Sequence, residues 1–225
     1  MLDQLAAVAV VVVWLAVVAA TALAVRHRWP DQREWSRKVV HIGTGPVVLL
    51  AWWLQIDRAV ALPAATLVTL ATALNHRFRL LPAVEDVGRH SYGTIAYGGS
   101  ITLLLALYWP QHPLPVAAGV LVMACGDGLA GLIGPALHSP RWRLLGQGKS
   151  LAGTTGMALA SLVVLLALAA LAGTSDQAAP AWPALLLIAA VATALEQLSG
   201  YGIDNLSVPL ATALLWQHLS LPLTP

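Results

Sequence analysis

A single carboxylate interrupts the apolar run LPVAAGVLVMACGDGLAGLIG, which extends from Leu114 to Gly134. That carboxylate is Asp127, and a glycine stands on each side of it. An ionised group in lipid or in a packed apolar interior costs several kcal/mol unless it is matched. A bound cation or a substrate group is the simplest match. Fifteen residues after Gly134 come Lys149 and Ser150, after Gly148 and at the start of the next apolar run. A carboxylate and a lysine at facing ends of two apolar helices suggest a site for phosphate and metal at a membrane surface.

Three further groups of polar residues suit the same chemistry. Arg37, Lys38 and His41 enter another apolar run. At spacings of three and four they share one helical face. Two cations and a histidine there suit a polyphosphate or an acidic lipid head; the plainer reading is a basic anchor that reaches the headgroups. Gly146 to Thr155 reads GQGKSLAGTT. Its Gly-Lys-Ser resembles the end of a P-loop, but that motif needs a glycine where Arg143 stands and a strand before it. A P-loop fold is therefore not expected. Free amides at a helix start, a lysine and a hydroxyl still make an anion site, and Ser150 also suits a helix N-cap. Glu196, Asp204 and Asn205 border a turn containing Gly200 and Gly202. Asp204 there could simply cap the helix that follows.

These groups must be positioned by helices. The chain has 225 residues, of which 58% are hydrophobic and 10% charged, against about 25% charged in soluble domains. Mean hydropathy is +0.75. The expected fold is all-α: one polytopic helical membrane domain over residues 1–225. Eight apolar segments lie at about 5–25, 39–54, 59–74, 92–109, 114–134, 151–172, 181–198 and 206–220. Seven or eight of them would cross the bilayer. The first is too long and too poor in basic residues for a cleaved signal peptide, and is read as a retained span. A net charge of +2 without basic-aromatic patches argues against nucleic acid. Cys125 stands alone, which excludes an intrachain disulfide.

Basic residues give an orientation. Eleven of twelve Lys and Arg fall in alternate loops; Arg58 is the exception. The positive-inside rule makes those loops cytoplasmic and the N-terminus external. His41, Glu85, Asp86, His90, Asp127, Glu196, Asp204 and Asn205 fall near the same side. The outer loops are nearly bare, which argues against a solute path across the membrane.

RKVVHIGTG, YGTIAY, CGDGLAGLIG followed by GKSLAGT, and DNLSVPL occur here in this order. Together they resemble the phytol kinase and dolichol kinase family, membrane enzymes that phosphorylate isoprenoid alcohols, typically with CTP. The family is related to phosphatidate cytidylyltransferases. Its motif pairs Asp-x-x-Ala-x-x-x-Gly with a later Lys-Ser/Thr-x-Glu-Gly. Asp127, Ala130, Gly134, Lys149, Ser150 and Gly153 match, whereas Ala152 stands at the glutamate position.

The resemblance implies γ-phosphoryl transfer from CTP to a prenyl alcohol at the cytoplasmic face. Asp127, His41 and Lys149 would be catalytic. Arg37, Lys38, Gly126, Gly128, Gly134, Gly148, Ser150, Gly153 and Asn205 would surround nucleotide and substrate. Asp127 and Asp204 would hold Mg2+. Two alternatives are a cytidylyltransferase making a CDP-lipid, and a transporter or scaffold without enzymatic activity.

Overall fold

The computed structural model describes residues 2–78 and 92–221. Arg79, Glu85, Asp86, Arg89 and His90, which the sequence placed on the basic side, lie outside these. Each of the eight apolar segments is helical. In chain order the helices are α1 (Leu2–Arg28), α2 (Arg33–Thr44), α3 (Val47–Trp53), α4 (Arg58–Phe78) and α5 (Gly93–Tyr108). They continue with α6 (Pro113–Ala136), α7 (Leu151–Ala172), α8 (Trp182–Gln197) and α9 (Asp204–Leu219). Among the described residues α1, α4, α6 and α7 are long and apolar enough to cross a membrane.

The second segment begins earlier than the expected 39 and is broken in two. Pro46 cannot donate a backbone hydrogen bond, so the helix interrupts after Gly45 and restarts as α3. Arg37, Lys38 and His41 thereby lie well inside α2 rather than at its entry.

α6 is the central helix. In its most apolar window 67% of residues are buried, against 11% in α1 and 6% in α4. The outer helices therefore keep apolar faces for lipid, while α6 is enclosed by protein. Val122–Asp127 forms a π-helical turn within it. Such turns are rare, and they widen the helix where a side chain must be re-aimed. Here the turn ends on Asp127. Asp127 stands nine residues before Ala136, about 13 Å along the axis at 1.5 Å per residue. The carboxylate is thus sunk within the bundle, not set at the helix end that the sequence suggested.

The all-α expectation needs one correction. β1 (Arg141–Leu144) and β2 (Gln147–Ser150) form an antiparallel hairpin between α6 and α7. Trp142 is paired with Lys149 and Arg143 with Gly148. Leu145 (φ 49°) and Gly146 (φ 77°) both adopt the left-handed region, as a two-residue hairpin turn requires. A strand therefore does precede the Gly-Lys-Ser helix start. It pairs only with its neighbour, not into the parallel sheet of a P-loop protein.

Helix ends sort to two sides. Gln4 donates to the Gln55 carbonyl at 3.0 Å and accepts from the Asp57 amide at 3.0 Å. These contacts put the start of α1 beside the α3–α4 turn. At the other side, the Tyr92 amide before α5 donates to the Tyr201 carbonyl before α9 at 3.0 Å. The hairpin lies on this second side.

Candidate active site

A cavity of about 830 Å³ opens at the hairpin side of the bundle. Its walls come from α2, α6, the hairpin, α7, α8 and the start of α9. Helix polarity explains the convergence: α6 and α8 end here, and α7 and α9 begin here.

Asp127 is held from α2. Lys38 Nζ donates to Asp127 Oδ2 at 2.6 Å and to the Asp127 carbonyl oxygen at 2.9 Å. His41 Nε2 lies 3.3 Å from the same Oδ2 and 3.3 Å from the Met123 carbonyl. A carbonyl only accepts, so the proton of this ring belongs on Nε2. Both contacts fall on Oδ2, leaving Oδ1 without a protein partner among the described residues. Gly131 makes room for the lysine: a Cβ there would come within 2.4 Å of Lys38 Cε. Asp127, Ala130, Gly131 and Gly134 recur at three and four along α6, and these small residues admit a cation as well as close helix packing.

Lys149 is held from α8. Its Nζ lies 2.5 Å from Glu196 Oε1 and donates to the Glu196 carbonyl at 2.8 Å. Glu196 Oε2 accepts from Gln197 Nε2 at 2.7 Å. The expected meeting of Asp127 and Lys149 is therefore not a direct ion pair: each has its own partner. Their partners nonetheless bring the acids together. Oxygens of Asp127, Glu196 and Asp204 all lie within 4.8 Å of one another. Asp204 Oδ1 also accepts from the amide and the side chain of Asn205, both at 3.1 Å. Asp127 and Glu196 each have a lysine partner, and Asp204 has none of its own among the described residues. Three carboxylates gathered as hard oxygen donors fit a divalent cation such as Mg2+.

The remaining expected residues divide into two sets. Arg37, Gly134, Gly148, Ser150, Gly153 and Asn205 line the cavity. Arg37 is at the same time paired with Glu34, at 2.7 Å. Ser150 caps α7, its Oγ accepting from the Gly153 amide at 3.2 Å. His41, Gly126 and Gly128 do not line the cavity. His41 is buried behind Asp127, its Nε2 beside the carboxylate. Gly126 packs on Met157, and Gly128 packs on Ile42. At both positions a Cβ would meet a side chain of a neighbouring helix, so glycine there serves close packing.

Glu196 is the site residue that the sequence reading left without a role. Its signal resembled that of Asp127: an acid at the end of an apolar run. Arg141 and Arg143, read there only as topology charges, also line the cavity. Ala152, at the family's glutamate position, is not part of the wall. The third carboxylate beside Asp127 and Asp204 is that of Glu196 from α8.

Fold and cavity together define a helical membrane protein with an acid-base cluster sunk into one end. No protein-family model matches the chain, and no solved structure does. Curated proteins do match. Phytol kinase of Synechocystis sp. is 40% identical over 210 residues, covering 93% of this chain and 89% of that protein. Phytol kinase 1, chloroplastic, of Arabidopsis thaliana is 28% identical over 202 residues, 81% of this chain and 66% of that protein. Farnesol kinase, chloroplastic, of the same plant is 28% identical over 146 residues, 58% of this chain and 46% of that protein. The chain belongs to the phytol kinase family of prenyl-alcohol kinases.

Proposed function

We propose that the protein phosphorylates a long-chain isoprenoid alcohol, using CTP, at the cytoplasmic membrane face. The observation that carries this reading is the cavity itself. Three carboxylates within 4.8 Å of one another and two lysines meet in about 830 Å³ at one end of an apolar bundle. That volume falls in the range of small-molecule sites. The names of the relatives supply the alcohol. CTP as donor rests on the family resemblance.

Phosphoryl transfer depends mainly on positioning and charge neutralisation. Lys38 and Lys149 are the ammonium groups that would face the phosphates, with Arg37, Arg141 and Arg143 at the wall. The Gly148 and Gly153 backbone and the Ser150 cap set the start of α7 against them. Asp127, Asp204 and Glu196 would hold Mg2+. Bound there, the ion would offset phosphate charge. Asp127 would offer the ion its Oδ1, the oxygen that Lys38 and His41 do not engage. Lys38 and His41 fix it there through Oδ2, and His41 is a positioning residue.

The whole chain is read as one domain of seven or eight crossings, α2 and α3 together forming the second, with the N-terminus outside. The alternation of basic loops supports this arrangement. So does the gathering of Arg37, Arg141, Arg143 and Lys149 at one end.

The test is labelled CTP with membranes containing the chain and phytol, farnesol or a polyprenol. A phospho-alcohol with release of CDP is expected on thin-layer chromatography. A CDP-lipid would instead make the protein a cytidylyltransferase. No nucleotide-dependent product from any alcohol would overturn the kinase reading.

A further inference from the structure

A second, smaller groove of about 330 Å³ adjoins the polar cavity. Leu145, Leu198, Ser199, Gly200, Tyr201 and Ile203 line it. Leu145 is the tip of the hairpin, and the others form the connection between α8 and α9. Ser199, Gly200 and Tyr201 line both spaces. One strip of chain is therefore wall to the charged cavity on one side and to the groove on the other.

The groove is apolar at a place where the bundle is otherwise charged. Leu145, Leu198, Tyr201 and Ile203 are each 58–64% exposed. Four large apolar side chains gathered in the open are costly unless something covers them. Two of them stand on left-handed backbone, Leu145 at φ 49° and Tyr201 at φ 55°. Non-glycine residues adopt that region at a cost. The two turns are also docked on each other: a Cβ at Gly200 would sit 3.6 Å from the Leu145 carbonyl oxygen.

We infer that this groove holds the first isoprenoid units of the alcohol, guiding the tail from the cavity to the lipid. The inference rests on the prenyl-alcohol reading above. The hydroxyl must reach a cavity walled by Lys38, Lys149 and Arg37, where hydrocarbon has no favourable surface. The tail needs an apolar way out that is continuous with that cavity, and the three shared residues provide the continuity. Occupation by the tail covers the four exposed side chains at the same time.

The experiment uses the full chain in lipid nanodiscs and a farnesol analogue carrying a diazirine on its tail. Photolabel is expected on peptides containing Leu145 and residues 198–203, and excess phytol should compete it away. Leu198→Asn with Ile203→Asn should raise the KM for phytol about tenfold, with kcat and the nucleotide KM unchanged. Label spread over α1 and α4 and insensitive to phytol would overturn the inference, and so would an unchanged phytol KM. If the double variant does not fold, the labelling of the unaltered chain decides. Phosphorylation with label elsewhere sinks the groove alone. Competed label in the groove without any phosphorylation sinks the kinase reading and keeps the groove.

Discussion

Lys149 and Glu196 are joined twice, through the 2.5 Å contact of Nζ with Oε1 and through the 2.8 Å bond to the Glu196 carbonyl. The lysine of the hairpin strand is thereby fastened to the end of α8, and the hairpin is carried over the cavity. The second oxygen of Glu196 is taken by Gln197. A carboxylate held at both oxygens is a fixed charge, and it keeps the lysine in place.

Glu196→Gln should therefore damage both fold and activity. It leaves a largely buried ammonium without its counter-charge, a loss on the order of 3 kcal/mol. The combined Glu196→Gln and Lys149→Met variant should regain much of the lost Tm and none of the activity. Thermal unfolding in detergent and the phosphorylation assay read the two effects separately. Equal recovery of both would mean that the pair is structural only.

Asp127→Ala should abolish alcohol phosphorylation, with a fall of about a hundredfold or more for a group acting in the transition state. Lys149→Ala should raise the nucleotide KM. Steady-state kinetics on a single accepted alcohol checks both. Full activity in the Asp127 variant, or an unchanged nucleotide KM in the Lys149 variant, would remove the role given to that residue.

Gly131→Ala and Gly119→Ala should behave differently. At Gly131 the new methyl meets the end of a flexible side chain, Lys38. The lysine can swing aside only by loosening its pair with buried Asp127, so activity should drop about tenfold and Tm should fall modestly, without a helix shift. At Gly119 the methyl would lie 2.4 Å from the Pro209 carbonyl oxygen, a backbone atom of α9. Only a helix shift relieves that contact, so Tm should fall clearly. Circular dichroism melts beside activity separate the two.

Asp204→Asn should stabilise the metal-free protein and weaken its response to Mg2+. The Asp204 carboxylate lies within 4.8 Å of those of Asp127 and Glu196. Like charges so close repel one another when no cation lies between them. At neutral pH in chelator the variant should melt higher than the unaltered chain. In excess Mg2+ the order should narrow or reverse, because one oxygen donor is gone. A Tm series over Mg2+ concentration tests this.

Several parts of the site were readable from the order of residues. Asp127 announced itself by sitting in an apolar run, and a helical spacing was enough to put Lys38 and His41 on one face. The same spacing could not tell which of them lines a cavity. His41 lies behind the carboxylate because the π-helical turn directs Asp127 between α2 and the open space. The hairpin was hidden for a local reason. Ten residues with two arginines and two glycines carry too weak an alternation to announce strands.

Composition, apolar periodicity and the alternation of basic loops determined by themselves that this chain is an assembly of apolar helices with its unusual polar residues toward one side. Those properties are local, written in runs of neighbouring residues. The partners of the charges are not local. Lys38 meets Asp127 across 89 positions, and Lys149 meets Glu196 across 47. Only the packing of α2, α6, α8 and the hairpin decided those pairs. It sank Asp127 about 13 Å below the helix end, and it brought Glu196 to a cluster that Ala152 does not reach. The physical reason is that a carboxylate inside an apolar bundle takes whatever cation the helix packing delivers, and the chain order does not say which.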